Sequence, residues 1–282
     1  MSNVSRVWFI TGSSSGFGYL LAKEVLRRGE RVVATARKAE ALKDLVAEYP
    51  ETARALALDV TQPEQITAVA REAIAAFGHV DVVVNNAGYG VNGAIEEVGE
   101  DEFEPMFQTN IYGLIRTTRA FLPHLRERRS GHIINLSSIA GLVGGAGWGF
   151  YNTSKFAVEG FSEALAEELK PLGVRVTIVE PGPFRTEFLG RSPTAAKQSI
   201  AEYKETAGKA RVYLETQSGK QQGDPQKAVE AMIAAVDAPE PPLHLVLGAM
   251  ALKRFRAKLE RVEKELAAWE PVTVGADFPE GK

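Results

Sequence analysis

Seven short apolar runs, most of them separated by stretches with helical spacing, constrain the fold of this chain more than any other feature. They cover residues 7–11, 31–36, 55–59, 82–85, 133–136, 174–179 and 243–247. Runs of four to six residues with little polar alternation suit strands buried on both faces, and such strands belong to parallel sheets covered by helices. Parallel neighbours need crossover connections, and right-handed crossovers wind the sheet into a doubly wound α/β fold. Ligands of that fold sit in the crevice outside the carboxyl ends of the strands. The expectation is a Rossmann-type doubly wound parallel sheet in one domain, residues 1–248, with a C-terminal helical extension, residues 249–282.

At the end of the first run stands Thr11-Gly12-Ser13-Ser14-Ser15-Gly16-Phe17-Gly18, and residues 19–28 follow with helical spacing. Glycines tighten the turn and let a phosphate approach the backbone, while the free N–H groups of a helix start attract an anion. With a strand before and a helix after, the turn reads as a dinucleotide pyrophosphate site. The second run ends Ala36-Arg37-Lys38. An NAD-selective fold places an acid here for the ribose hydroxyls; the acid is missing, and Arg37 stands where the 2′-phosphate of NADP would lie. The third run closes on Asp59-Val60 and the fourth on Asn85-Asn86-Ala87-Gly88. Asp59 would accept from an adenine amino group, and Ala87 and Gly88 are small enough for close approach; the competing reading is an ordinary strand exit.

Tyr151-Asn152-Thr153-Ser154-Lys155 opens an amphipathic helix, because Phe156, Val158, Phe161, Leu165 and Leu169 follow at three- and four-residue spacing. Tyr151 and Lys155 therefore share a face, one turn apart. Tyrosine has an ordinary pKa of about 10, and a fixed ammonium beside it would favour the phenolate and make it a usable acid/base. Upstream, the run at 133–136 ends in Ser137-Ser138, which would set one serine hydroxyl beside the tyrosine. Asn110 lies in a long helical pattern, residues 102–126, where a buried amide needs partners; it would either kink the helix or hold water.

Composition narrows the remaining classes. At 282 residues, 45% hydrophobic and 24% charged, the chain matches an ordinary globular protein. Without cysteine there is no disulfide or thiolate metal site, and His79, His124, His132 and His244 are too dispersed to suggest a local ligand pair, so no metal is expected. A formal charge of −3 offers no footprint for nucleic acid. No run approaches the ~20 apolar residues needed to span a bilayer, and residues 1–10 lack a secretory pattern, so a cytoplasmic location is expected.

On these motifs the chain resembles the classical short-chain dehydrogenase/reductase family. The glycine turn 11–18, Asn85-Asn86-Ala87-Gly88, Asn110, Ser138, Tyr151, Lys155 and Pro181-Gly182 all stand in the family's order and approximate spacing. The resemblance implies an NADP(H)-dependent oxidoreductase moving hydride between the nicotinamide and a carbonyl or secondary alcohol. Carried over, Tyr151 is the general acid/base, and Lys155 lowers its pKa and binds the nicotinamide ribose. Ser138, with Ser137 as the other candidate, polarises the substrate oxygen, and Asn110 holds a water on the proton path. The turn Pro181-Gly182 and Thr186 would contact the carboxamide. An epimerase or dehydratase on the same fold, or a regulator that binds NADP without turnover, are the alternatives.

The substrate would be a hydrophobic ketone or aldehyde, since Val91, Val143, Trp148, Phe184, Phe188 and Leu189 follow the strand ends, with a lid at about 184–222. In the extension, Leu252, Phe255, Leu259, Val262, Leu266 and Trp269 form one apolar seam. Such a seam docks on its own subunit, closes the cleft, or pairs with a partner in a homo-oligomer.

Overall fold

The structure, a computed structural model, describes residues 5–186 and 194–278. Phe188 and Leu189, named above for the pocket, lie outside the described residues. The chain runs through β1 (Val7–Ile10), α1 (Gly16–Arg27), β2 (Arg31–Ala36), α2 (Lys43–Glu48), β3 (Ala53–Ala57), α3 (Pro63–Phe77), β4 (Val82–Asn85) and a short β5 (Val91–Asn92). It continues with α4 (Glu100–Phe107), α5 (Leu114–Arg128), β6 (Gly131–Leu136), α6 (Ile139–Leu142), α7 (Gly149–Leu169) and β7 (Val174–Pro181). After a short β8 (Thr194–Ala195) come α8 (Ala207–Gln217), α9 (Pro225–Asp237), β9 (His244–Leu247) and α10 (Ala249–Val274).

Seven strands form one sheet in the order β3-β2-β1-β4-β6-β7-β9, all parallel, so the expected doubly wound α/β fold is present. The winding reverses between β1 and β4, which opens a crevice at their carboxyl ends. Alternation along β1 explains the two cores. Val7 and Phe9 pack with Val69, Phe121 and Leu165 on one face, and Trp8 and Ile10 with Leu21, Val25 and Met232 on the other. Every residue of β1 is thus buried, which is why it reads as a continuous apolar run.

Three expectations need correction. The third strand starts and ends two residues earlier than the run 55–59, because Ala53 pairs with Val32 while Leu58 and Asp59 leave the ladder toward the cleft. The sixth extends two residues further, since Glu180 and Pro181 pair with Val246 and Leu247. The single helix expected over 102–126 is divided by a π turn, Gln108–Gly113, whose wider loop carries Asn110. Two strands too short to show periodicity, β5 and β8, pair in a small second sheet.

Helix α10 docks through Ala251 and Phe255, which pack with Ile139 and Leu142, and through Lys258, whose Nζ donates to the Leu142 carbonyl at 2.6 Å. Beyond Val262 its residues are exposed, including Leu266 and Trp269 at 55% and 63%. The seam is therefore covered by its own chain only at its start. No helix among the described residues is long and apolar enough to cross a membrane.

Candidate active site

The glycine turn is shaped by backbone packed against backbone. Gly12 adopts φ +67°, and a Cβ there would lie 2.9 Å from the Ala87 Cα; a Cβ on Gly18 would lie 2.4 Å from the Gly12 carbonyl oxygen. No side chain fits at either place. Asn86 locks the arrangement by donating through Nδ2 to the Thr11 and Gly12 carbonyls at 2.9 and 3.0 Å, and the Thr11 hydroxyl accepts from the N–H groups of Asn86 and Ala87. Helix α1 then begins with no side-chain cap and no acid in its first turn, so its leading N–H groups suit an anionic ligand.

A cleft of about 1280 Å³ follows the carboxyl edge. Its wall includes Gly12, Ser14, Ser15, Gly16 and Phe17 of the turn, Arg37, Asp59 and Val60, Asn86, Ala87 and Gly88, then Ser138, Tyr151 and Lys155, and finally Pro181, Gly182 and Thr186. Two expected residues stand behind it. Gly18 backs onto the Gly12 carbonyl, and Asn110 is 1% exposed beneath the Gly88–Tyr89 loop. A dinucleotide therefore fits the donor set: uncapped helix N–H groups for the pyrophosphate, an exposed Arg37 at the second strand, and Asp59, held through Oδ1 by the Thr61 N–H and hydroxyl.

Tyr151 and Lys155 sit in the first and second turns of α7, both buried. The Tyr151 side chain hydrogen-bonds Ser138, and its ring packs edge-on against Trp148 at 5.7 Å. Lys155 Nζ donates to the Leu136 carbonyl at 2.7 Å and lies 5.8 Å from the Tyr151 ring centre. Burial pushes the Tyr151 hydroxyl up to about 12, with the Ser138 bond opposing, and burial pulls Lys155 down to about 8, with Glu159 opposing. The expected phenolate-favouring effect of Lys155 is thus outweighed in this structure. Desolvation keeps Tyr151 a protonated acid, because the ammonium is directed at a strand carbonyl.

The two serines separate as strand alternation demands. Ser138 caps α6, its Oγ accepting from the Ala140 N–H at 3.1 Å, and faces Tyr151. Ser137 turns the other way and donates to Glu159. Asn110 has no side-chain capacity left for a water bridge through its amide hydrogens, since Nδ2 donates to Tyr89 O at 2.8 Å and to Ser154 Oγ at 3.1 Å.

Of the expected substrate residues, Val143, Trp148 and Phe184 line the cleft, whereas Val91 is buried in the packing beneath it. Lys209 and Tyr213 of α8, within the expected lid, also line it, and so do Met250 and Arg254 from the first two turns of α10, which were not expected. The only sequence signal for the α10 pair was position: they follow Gly248 and open a helix that packs against α6.

A family model described as short chain dehydrogenase matches residues 6–198, and the chain belongs to that family. It is an oxidoreductase fold that uses a nicotinamide cofactor and a small-molecule substrate. Among relatives, it is 35% identical over 277 residues to oxidoreductase BOA17 of Botryotinia fuckeliana, covering 97% of this chain and 100% of that one. It is 41% identical over 183 residues to 3-ketodihydrosphingosine reductase of Bacteroides thetaiotaomicron, 65% of each, and 35% identical over 261 residues to human retinol dehydrogenase 8, 86% and 81%. A crystal structure of a short-chain dehydrogenase from Streptomyces avermitilis superimposes with a TM-score of 0.92 at 44% identity, covering 98% and 100%. Similar solved structures hold either kind of dinucleotide: an alcohol dehydrogenase from Thermococcus sibiricus carries 5-hydroxy-NADP (26% identity, 86% and 96% covered, TM-score 0.72), and a 3-ketoacyl-(acyl-carrier-protein) reductase from Brucella melitensis carries NADH (26%, 86% and 96%, 0.71).

Proposed function

We propose that this protein is an NADP(H)-dependent reductase of hydrophobic ketones or aldehydes, acting as a homo-oligomer. The observation that carries the reading is the Tyr151–Ser138 hydrogen bond, made inside the same cleft that the glycine turn opens onto. When bound, the nicotinamide supplies the hydride that adds to the carbonyl carbon. Tyr151 gives its proton to the carbonyl oxygen, and Ser138 holds that oxygen while negative charge develops on it. Burial favours the protonated form of Tyr151, which gives it a proton to donate in the reductive direction. Lys155, one helical turn from Tyr151 and fixed to the Leu136 carbonyl, puts its positive charge where it steadies the phenolate left on Tyr151 until a proton returns.

Two further points support the finer reading. Arg37 is exposed on the cleft wall where the 2′-phosphate of NADP belongs, and no acid stands at the end of β2. Val143, Trp148, Phe184 and Met250 make an apolar wall, and two relatives are named for long apolar substrates, a ketosphingolipid and a retinoid. The test is NADPH consumption with a panel of ketones and aldehydes. Sustained turnover, with higher kcat/KM for bulky apolar carbonyls than for sugars, is expected. Tight NADPH binding with no turnover on any member would overturn the reading in favour of a non-catalytic regulator.

A further inference from the structure

Behind the catalytic wall lies a cluster that the proposed chemistry does not use. Glu159 of α7 and Glu180 of β7 are both buried, at 5% and 0% exposure, and face each other close to His244 of β9. Three oxygens and a ring nitrogen already have defined partners. Ser137 Oγ donates to Glu159 Oε1, and His244 Nδ1 lies 2.6 Å from Glu180 Oε1. The remaining oxygens, Glu159 Oε2 and Glu180 Oε2, are fully buried and find no donor among the described residues. Two buried carboxylate oxygens without donors are costly, and two adjacent buried anions more so.

One proton resolves both problems. Placed on Glu180 Oε2, it would be donated across the cluster to Glu159 Oε2, the two carboxyls offering oxygens within 4.8 Å of each other. Glu180 Oε1 then accepts from His244 Nδ1–H, and Glu159 Oε1 accepts from Ser137. All four carboxyl oxygens are satisfied. The location of the proton follows from the environment: Glu180 is the more deeply buried, while Glu159 receives the serine hydroxyl that stabilises an anion. Burial pushes both groups upward, in the direction of holding a proton.

Resting on the reductase reading, we propose that Glu180 is a neutral acid hydrogen-bonded to an ionised Glu159, and that this single buried charge makes Glu159 a positioning residue for Lys155 and the Ser137–Ser138 strand end. Glu159 lies one turn beyond Lys155 on the same helix and acts electrostatically to keep it charged. It also holds Ser137, and Ser137 is the peptide neighbour of the serine that faces Tyr151. Gly141 makes room, since a Cβ there would lie 2.5 Å from Ser137 Oγ and 2.7 Å from Glu159 Oε1. The charged and titratable groups facing Glu159 are Lys155 and Glu163 on its own helix, Glu180 from β7 and His244 from β9.

The two glutamates therefore differ in what a glutamine can replace. Glu180→Gln keeps a neutral donor toward Glu159, so kcat, KM and the pH profile should stay within about twofold of wild type. Glu159→Gln removes the counter-charge of Lys155. Its expected result is a kcat roughly tenfold lower with little change in the KM for substrate, and an alkaline limb of the kcat profile moved about one pH unit lower, because Lys155 loses its proton more easily; Glu159→Asp should restore part of the shift. Infrared difference spectroscopy reads the proton without turnover: wild type at neutral pH should show the C=O stretch of a buried protonated carboxyl, and Glu180→Gln should lack it. No such band in wild type, or equal effects of the two glutamine variants on the pH profile, would overturn the proposal. A thermal shift with ZnCl2 that Glu180→Gln abolishes would overturn it too, by making the cluster a cation site. A band that is present in a protein without carbonyl turnover would defeat the reductase reading alone.

Discussion

Lys155 Nζ lies 2.7 Å from the carbonyl oxygen of Leu136, so the helix bearing the proton donor is pinned to the last residue of β6. The same strand end continues into Ser138, and one contact thereby fixes the distance between the two groups that would hold a carbonyl oxygen. Lys155→Ala leaves that buried carbonyl without its donor and is expected to weaken both cofactor affinity and turnover. Tyr151→Phe keeps the ring against Trp148 but deletes the proton. Its kcat should fall roughly 100- to 10,000-fold while NADPH affinity stays near wild type, measured by turnover assay and fluorescence titration; equal turnover would dismiss Tyr151 as the acid.

Asn110 exchanges two hydrogen bonds with the Tyr89 backbone, accepting its N–H at 3.0 Å and donating to its carbonyl at 2.8 Å. Asn110→Ala strips both from a part-buried loop that carries Gly88 on the cleft wall. Stability should drop by about 2–3 kcal/mol, and NADPH affinity should fall with it. Urea denaturation together with a binding isotherm would show the two losses, and loss of neither would mean the loop holds itself.

Arg37→Ala is expected to raise the KM for NADPH by roughly tenfold or more through loss of a charge-assisted contact to the 2′-phosphate, and to leave NADH nearly unaffected. The ratio of the two kcat/KM values is the readout. An unchanged ratio would remove Arg37 as the discriminator.

His132 supplies a pH dependence separate from the active site. The Thr177 hydroxyl donates to the Pro242 carbonyl at 2.8 Å, so it accepts from His132 Nε2, 2.9 Å away, and fixes the neutral tautomer. Burial, then the charges of Arg175 and Arg6, pulls His132 down to about 4 from its ordinary 6.5. A folded-state value below the unfolded one means the unfolded chain binds the extra proton between these limits. Its contribution is therefore complete above pH 6.5 and is lost as pH falls toward 4, to an extent of at most ~3 kcal/mol. His132→Gln, which can still donate to Thr177, should flatten the slope of unfolding free energy in that window; an identical slope would rule His132 out as its source.

Removing residues beyond Val262 spares the docked start of α10 and its cleft residues Met250 and Arg254 while deleting the exposed part. The early part of the helix is basic at Lys253, Arg254 and Arg256 and the later part acidic at Glu263, Glu265 and Glu270, so two copies laid antiparallel would set Arg256 opposite Glu263 of the other. The expected outcome is a smaller mass per particle by light scattering with kcat retained. An unchanged mass would leave this part of the helix without an interface role.

Most of the sheet was legible because a strand such as β1 is buried on both faces and appears as an unbroken apolar run. The partition of Ser137 from Ser138 followed from the same alternation. What escaped was set by tertiary contact. Glu180 falls just past the apolar run of β7, and Glu159 occupies one helical position among many polar ones, so nothing in the local pattern tells that they meet. The electrostatic balance at Tyr151 was misjudged for the same reason, since the burial that decides it is not a property of spacing. The seam of α10 was visible as periodicity, but periodicity carries no information about what lies opposite.

The π turn at Gln108–Gly113 is equivalent to one residue spliced into an α-helix without lengthening its hydrogen-bonded frame by a full turn. Each residue of a regular helix advances the azimuth by about 100°; the wide turn absorbs one such step, so excising a single position such as Thr109 would let the segment anneal into an unbroken helix while α4 and α5 keep their mutual azimuth. Asn110 would lose the widened backbone that aims it at Tyr89, while α4 would keep its place. The turn thus lets one extra residue present Asn110 to the loop above it without disturbing the helices on either side.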